Sequence, residues 1–380
     1  MDHGPDSVPL IELHTHLEGS ITPRRLVELA ERHGQPSVPA ACLTAGGSRF
    51  RATAGFPDFL EIYKAVTAVI RTPADHHALA LDLARALADD GVIYCEATVS
   101  YGVLLWRGID PLPVQRALRE AADEARERHG VEIRWLPDAV RQLGPDAAMR
   151  VLEAAAAAAQ RGLGVVGFGI GGDETAVPAT AFADICAAAR AAGLGVTVHA
   201  GETGGPESVR DAVAGCGAAR VGHGVGAVLG AVIGWEEAEP QPGQDKPVPR
   251  RLASVRDAPD AGRVEETLAL LAAEGTFVEL CPGSNLATGA VRDGASFPLR
   301  AFVDRAVPCC LNTDDRGLFG LDLRGEYRRA GGPGGAGEPG GSATPLLTAG
   351  EIAAMQRAAL AAAFVDQATR AQIEARLKRS

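Results

Sequence analysis

The stretch from Leu10 to Ser20, LIELHTHLEGS, holds two of the chain's 9 histidines, His14 and His16, two residues apart at the end of an apolar run. In a β-strand such residues project from the same face, which sets two imidazoles side by side as a metal ion requires. Three later stretches carry matching chemistry: His199 and Glu202 in VHAGET, His223 in RVGHGV, and Asp314 with Asp315 in LNTDD. Neutral imidazoles and a carboxylate are ordinary zinc ligands, and a catalytic zinc keeps a position open for water, whose pKa it lowers toward about 7. The expected ligands are His14, His16, His199 and Asp314. No lysine stands at a strand end to bridge a second metal, so one zinc ion is expected; iron or cobalt suits the same groups. A Glu202 carboxyl buried beside the ion stays protonated at neutral pH and can donate a proton. His223 can orient or deprotonate the attacking water, and Asp315 can hydrogen-bond the substrate.

These residues need a scaffold that gathers distant segments. Eight apolar, strand-like runs cover 8–16, 91–101, 131–140, 163–172, 194–202, 218–225, 275–285 and 306–315, separated by alanine- and arginine-rich helical segments. Apolar strands alternating with helices predict an α/β fold with a parallel sheet. Eight of them predict a (β/α)8 TIM barrel, with a doubly wound open sheet as the alternative. In seven units the polar groups gather at the C-terminal end of the strand, where barrels build active sites. Besides the residues above these are Glu96, Gly172 to Glu174, Ser284 and Asn285. Ser100 and Glu96 are expected to face the same pocket.

A single domain over 1–380 is expected. After the sixth strand comes a proline- and charge-rich insertion loop at 236–262, expected as a lid, an oligomer contact or a passive surface insertion. A glycine-proline linker spans 331–342, and the helical segment after it, with a Thr348–Glu351 capping box, should pack on the barrel wall. Hydrophobic residues make up 46% and charged residues 22%, an ordinary globular balance. A net charge of −11 and a pI near 5.4 argue against a nucleic-acid partner. No signal peptide and no membrane span are read, so the expected place is the cytoplasm. The seven cysteines include no C-x-x-C and read as buried free thiols.

The succession H-x-H, GGDE, HAGE, GHG, CPGSN and LNTDD, over about residues 8 to 370, resembles the adenosine deaminase family of the amidohydrolase superfamily. The resemblance implies metal ligands at His14, His16, His199 and Asp314, a proton donor at Glu202, a water-orienting histidine at His223 and a purine contact at Asp315. It also implies that the Gly172 N–H meets the purine ring, and that the helix FPDFLEIYKAV (56–66) covers the site with Phe59, Ile62 and Tyr63 as pocket walls. The implied reaction is hydrolysis of a 6-aminopurine, with Glu202 protonating N1, hydroxide adding at C6 and ammonia leaving. The substrate signals diverge. Glu18, where adenosine-specific members usually carry an aspartate facing the ribose, is nearer the adenine-deaminase branch, whereas GIGGDE resembles the adenosine branch. A third branch, acting on nucleosides altered at the 5′ end such as aminodeoxyfutalosine, would tolerate a changed contact at Glu18. The expectation is a purine nucleoside, with adenine or aminodeoxyfutalosine as alternatives. A catalytically silent purine-binding protein is disfavoured because it has no chemical need for the full set of groups.

Overall fold

The computed structural model describes residues 8–238, 251–331 and 346–378. Eight strands form one parallel sheet in the order β1 (Leu10–His16), β2 (Val92–Val99), β3 (Glu132–Val140), β4 (Gly167–Gly171), β5 (Gly195–Ala200), β6 (Arg220–His223), β9 (Phe277–Leu280) and β10 (Cys309–Leu311). An antiparallel pair, β7 (Val232–Ala238) and β8 (Arg251–Arg256), stands outside it. The order follows the chain without reversal, so the open doubly wound alternative is excluded. The ring closes between first and last strand through a parallel bridge from Thr15 to Asp314. There the His16 N–H donates to the Asp314 carbonyl at 3.1 Å, and the Asp314 N–H to the His14 carbonyl at 2.9 Å.

Every residue of β1 and β2 is buried, as expected for strands covered by helices on one face and packed into the barrel on the other. The helices show the end signals that their sequences carry. Thr72 and Asp75 form a capping box at the start of Pro73–Asp89. Gly275 ends Ala261–Glu274 in the left-handed region at φ 64°. The last two strands are shorter than expected because Pro282 opens a helix (Pro282–Ala287) and residues 312–315 leave the sheet to form the rim.

The segment after strand six differs from the expected loop. It begins as the β7–β8 hairpin, whose connection at 239–250 lies outside the described residues, and by Ala261 it has entered a helix. Arg256 ties the hairpin to the rim: its guanidinium donates to the carbonyls of Glu202, Gly230 and Ala290. The linker call at 331–342 falls outside the described residues except Gly331, which ends the helix Leu323–Gly331. The Thr348–Glu351 capping box forms. The segment after it is two helices, Ala349–Ala362 and Gln367–Leu377, and Gln356 on the first accepts the Ile11 N–H of β1 at 2.8 Å. All seven cysteines are buried and free. No described helix is long and apolar enough to cross a membrane.

Candidate active site and metal centre

The strand ends deliver their polar groups to one point. Ligand atoms of His14, His199, His223 and Asp314 lie within 4.8 Å of one another. His16 joins them, with Nε2 3.2 Å from His199 Nε2 and 3.2 Å from Asp314 Oδ1. His14 Nε2 is buried with only the Asp314 carboxylate near it, at a long 3.4 Å, which leaves room for a ligand between them. Five buried nitrogen and oxygen donors around one space suit a divalent transition metal.

The electrostatics divide these groups: burial opposes charge on His14 and His16, but the carboxylates around them, Asp314 above all, raise them to about 10 and about 9. Burial, reinforced by the neighbouring His14 and His16, holds the His199 pKa well below the usual range, so its imidazole is neutral. Burial brings His223 down to about 4. Burial opposes charge on Asp314 too, but the close imidazoles of His14 and His16 hold its carboxyl well below the carboxylate range. The backbone is shaped here as well: His223 and Asp314 sit at φ 66° and 59°, which non-glycine residues adopt at a cost of about 1–3 kcal/mol.

Four of these five groups are held from behind. His199 Nδ1 lies 3.1 Å from the Ile170 carbonyl, and the Asn285 side-chain amide lies 3.0 Å from His223 Nδ1. Ser284 donates to Asp314 Oδ2 at 2.6 Å. His14 Nδ1 lies 2.7 Å from Glu279 Oε2, and Glu279 is 2.6 Å from Arg220, which pairs at 2.5 Å with Glu96. The Arg220 guanidinium stacks 3.8 Å over the Phe364 ring, and Glu96 Oε1 accepts the Phe364 N–H at 2.6 Å. Glu96 was expected to face the pocket. It lies instead in this buried floor beneath the metal centre, because the arginine at the start of β6 claims its carboxylate.

Above the metal centre is a cavity of about 360 Å³. Glu202 and His223 reach it, 3.7 Å apart. Burial pushes the Glu202 carboxyl well above the carboxylate range, with Asp314 and Glu174 adding to the effect. The loop carrying Glu202 is fixed by Glu174, whose carboxylate accepts the N–H groups of Gly201, Thr203 and Gly204 and the Ser208 hydroxyl. Of GGDE only Gly172 lines the cavity, at φ 91°, where a Cβ would also strike Gln142. Phe59 and Tyr63 form an aromatic wall from the helix Phe56–Thr67, while Ile62 turns into the core and does not line the cavity. Asp315 lines it too, with its carboxyl pushed well up by burial and Asp314, and a Cβ on Gly19 would overlap its Oδ1. Ser100 is at the wall, and its N–H donates to Glu18 Oε1 at 3.0 Å.

Sequence reasoning missed Glu279 and Arg220, which fix His14, and Asp138, which lines the cavity from the end of β3. Strand three was the unit left without a polar rim residue. The aspartate in WLPDAV was the available signal.

Against known proteins, the family model for adenosine deaminase matches residues 9–380. A curated aminodeoxyfutalosine deaminase from Streptomyces avermitilis is 34% identical over 372 residues, covering 97% of this chain and 90% of that protein. An adenine deaminase from Sinorhizobium medicae is 34% identical over 368 residues, covering 96% and 97%. Among solved structures, an adenine deaminase from Arthrobacter aurescens superposes with a TM-score of 0.76 at 20% identity, covering 98% of this chain and 99% of that one. The ADAL–IMP complex gives 0.75 at 19%, covering 99% and 97%.

Proposed function

The chain belongs to the adenosine deaminase family, and from that premise we propose that it deaminates a 6-aminopurine nucleoside, adenosine or a close analogue, with one zinc ion. It is a deaminase of adenine- or adenosine-like substrates, a hydrolase acting on a C–N bond. One observation carries the finer reading: a buried, neutral Glu202 carboxyl shares a cavity with the His–Asp cluster and an aromatic wall. An acid there serves a reaction in which a ring nitrogen must gain a proton as the nucleophile adds; plain amide or ester hydrolysis has no such ring nitrogen to protonate.

His14, His16, His199 and Asp314 would hold the zinc. Bound zinc supplies a hydroxide nucleophile at neutral pH. Glu202 gives its proton to N1 as the ring loses aromaticity at C6. His223, neutral and 3.7 Å from Glu202, takes up the proton released by the attacking water. Asp315, kept protonated, donates to a ring nitrogen, and the Gly172 N–H meets the purine edge. Phe59 and Tyr63 cover the ring and exclude water, whereas Glu18, expected against the sugar, is not on the cavity lining and accepts the Ser100 N–H from behind it.

A second reading, a nucleoside enlarged at its 5′ end, is favoured by Trp106 and Arg107 on the cavity lining. Trp106 is 68% exposed, and Arg107 is bonded to the Thr67 carbonyl and hydroxyl with no carboxylate paired to it among the described residues. These groups offer an aromatic face and a cation to a longer substituent. The test is ammonia release by the zinc-loaded protein from adenosine, 2′-deoxyadenosine, adenine and aminodeoxyfutalosine in parallel, with His199→Ala as the control. Turnover of a nucleoside supports the proposal. Turnover of adenine alone would overturn its nucleoside half, and turnover of none would overturn it whole.

A further inference from the structure

The Glu202 carboxyl lies in the cavity 3.7 Å from His223 and, among the described residues, takes no hydrogen bond from the protein. Its direction is therefore set by the backbone that carries it. On one side of that loop the Glu174 carboxylate accepts the N–H groups of Gly201, Thr203 and Gly204. On the other, the carbonyls of Gly201, Glu202 and Thr203 accept from the Gly226 N–H, the Arg256 guanidinium and the Val232 N–H. An anion thus gathers the donors of the loop, and a cation holds its central acceptor. Val232 and Arg256 are opposite each other in the register of β7 and β8, so the open end of the hairpin clasps two successive carbonyls, the first of them Glu202's.

Arg256 gives its remaining donors to backbone as well: two reach the Ala290 carbonyl at 3.0 and 2.7 Å, and another the Gly230 carbonyl. Among the described residues no carboxylate lies within ion-pair distance of it. Burial brings its pKa down to about 10, against the pull of Glu174 and Glu202. Taking a guanidinium partly out of water without an ion pair opposes folding. A lysine could not do what it does here, because only the rigid five-donor fork fixes carbonyls of three separate segments at once. We propose that Arg256 is a positioning residue for the proton donor: it acts through the Glu202 carbonyl to hold the carboxyl where a ring nitrogen meets it. The inference rests on the reading of Glu202 as the acid. The aromatic wall has an anchor of its own on the hairpin, since a Cβ on Gly55, at the head of Phe56–Thr67, would meet Leu252 and Trp235. Loss of the Arg256 guanidinium should therefore spare substrate binding.

The test uses the zinc-loaded protein and the purine that wild type deaminates. Arg256→Met should lower kcat about 10–100-fold with KM within about threefold, because a catalytic group displaced by about 1 Å can lose about 10²-fold in rate. Zinc content should not change. Arg256→Lys, which reaches one carbonyl at a time, should recover part of the loss, and it reads the effect if the methionine variant fails to fold. In a Glu202→Gln background, where no acid is left to position, Arg256→Met should remove less than about threefold more; a merely structural role would subtract the same factor in both backgrounds. Equal losses in the two backgrounds would overturn this inference and leave the deaminase reading standing. So would a kcat within about threefold of wild type in Arg256→Met, or in Arg256→Lys where methionine does not fold. Glu202→Gln with more than about a tenth of wild-type turnover would overturn the acid and its positioning together.

Discussion

The floor beneath His14 and the wall above it are built from the same residue types and used in opposite ways. In the floor each charged group lies against a partner: Glu96 against Arg220, Arg220 against Glu279, Glu279 against the His14 imidazole. Around the cavity, Asp138 and Asp315 in the wall and Glu18 behind Ser100 each keep an oxygen that no protein group meets. A buried acid that the protein has paired acts by holding something in place. One left unpaired in a cavity is addressed to a ligand. Burial alone does not separate the two kinds, since all six carboxyl or guanidinium groups are at most 3% exposed; only the partner list does.

The comparison can be tested by the kind of loss each region produces. The largest effect belongs to neither region but to the acid between them: Glu202→Gln should cut kcat by about 10²–10⁴-fold with zinc content unchanged by atomic absorption. More than a tenth of wild-type turnover would remove Glu202 from its role. In the floor, Arg220→Met leaves Glu96 and Glu279 facing each other with no cation, which should destabilise the fold by about 3–5 kcal/mol in denaturant titration. Glu279→Gln should lower zinc affinity by about 10–100-fold, read by competition with a chelator, because His14 loses the carboxylate that orients it. If either floor variant changed only KM, the division would fail. In the wall, Phe59→Ala should raise KM several-fold while zinc binding and the denaturation midpoint stay closer to wild type than in either floor variant.

A smaller effect, outside both regions, calibrates stability. The Asp75 carboxylate accepts the N–H groups of Arg71 and Thr72 and faces His33 at 2.8 Å. Burial works against its charge, but these bonds prevail and hold it at about 2, below its ordinary 3.8. A depressed pKa gives stability that is present above pH 3.8 and is lost as pH falls through about 2. Asp75→Asn should therefore melt lower than wild type at neutral pH, with the gap closing toward pH 2. A gap that stays constant with pH would remove the carboxylate's charge from the account.

The barrel was legible because its strands are buried on both faces and so read as apolar runs, each followed by a helix with its own caps. His14, His16, His199 and Asp314 were legible for the same reason, since a polar residue at the end of an apolar strand stands out. Glu279 and Arg220 were not. They sit within strands, and their meaning depends on partners far along the chain: Arg220 and Glu96 are 124 residues apart. Glu96 itself was noticed and misplaced, because the sequence shows that a strand carries an acid but not how far below the rim it lies. The β7–β8 hairpin was hidden by a segment whose prolines and charges obscure strand periodicity.

The seam of the barrel has a consequence for how the molecule is assembled. Thr15 and Asp314 meet across a separation of 299 residues, at the point where the histidine pair and its carboxylate converge. Contacts between such distant segments close late, because the loop entropy must be overcome before they form. A chain emerging from synthesis thus exposes His14 and His16 long before Asp314 exists, with only part of a binding site and correspondingly weak retention of metal. Metal capture becomes a report that the final strand has docked, and an ion bound there fastens the two ends of the barrel wall together.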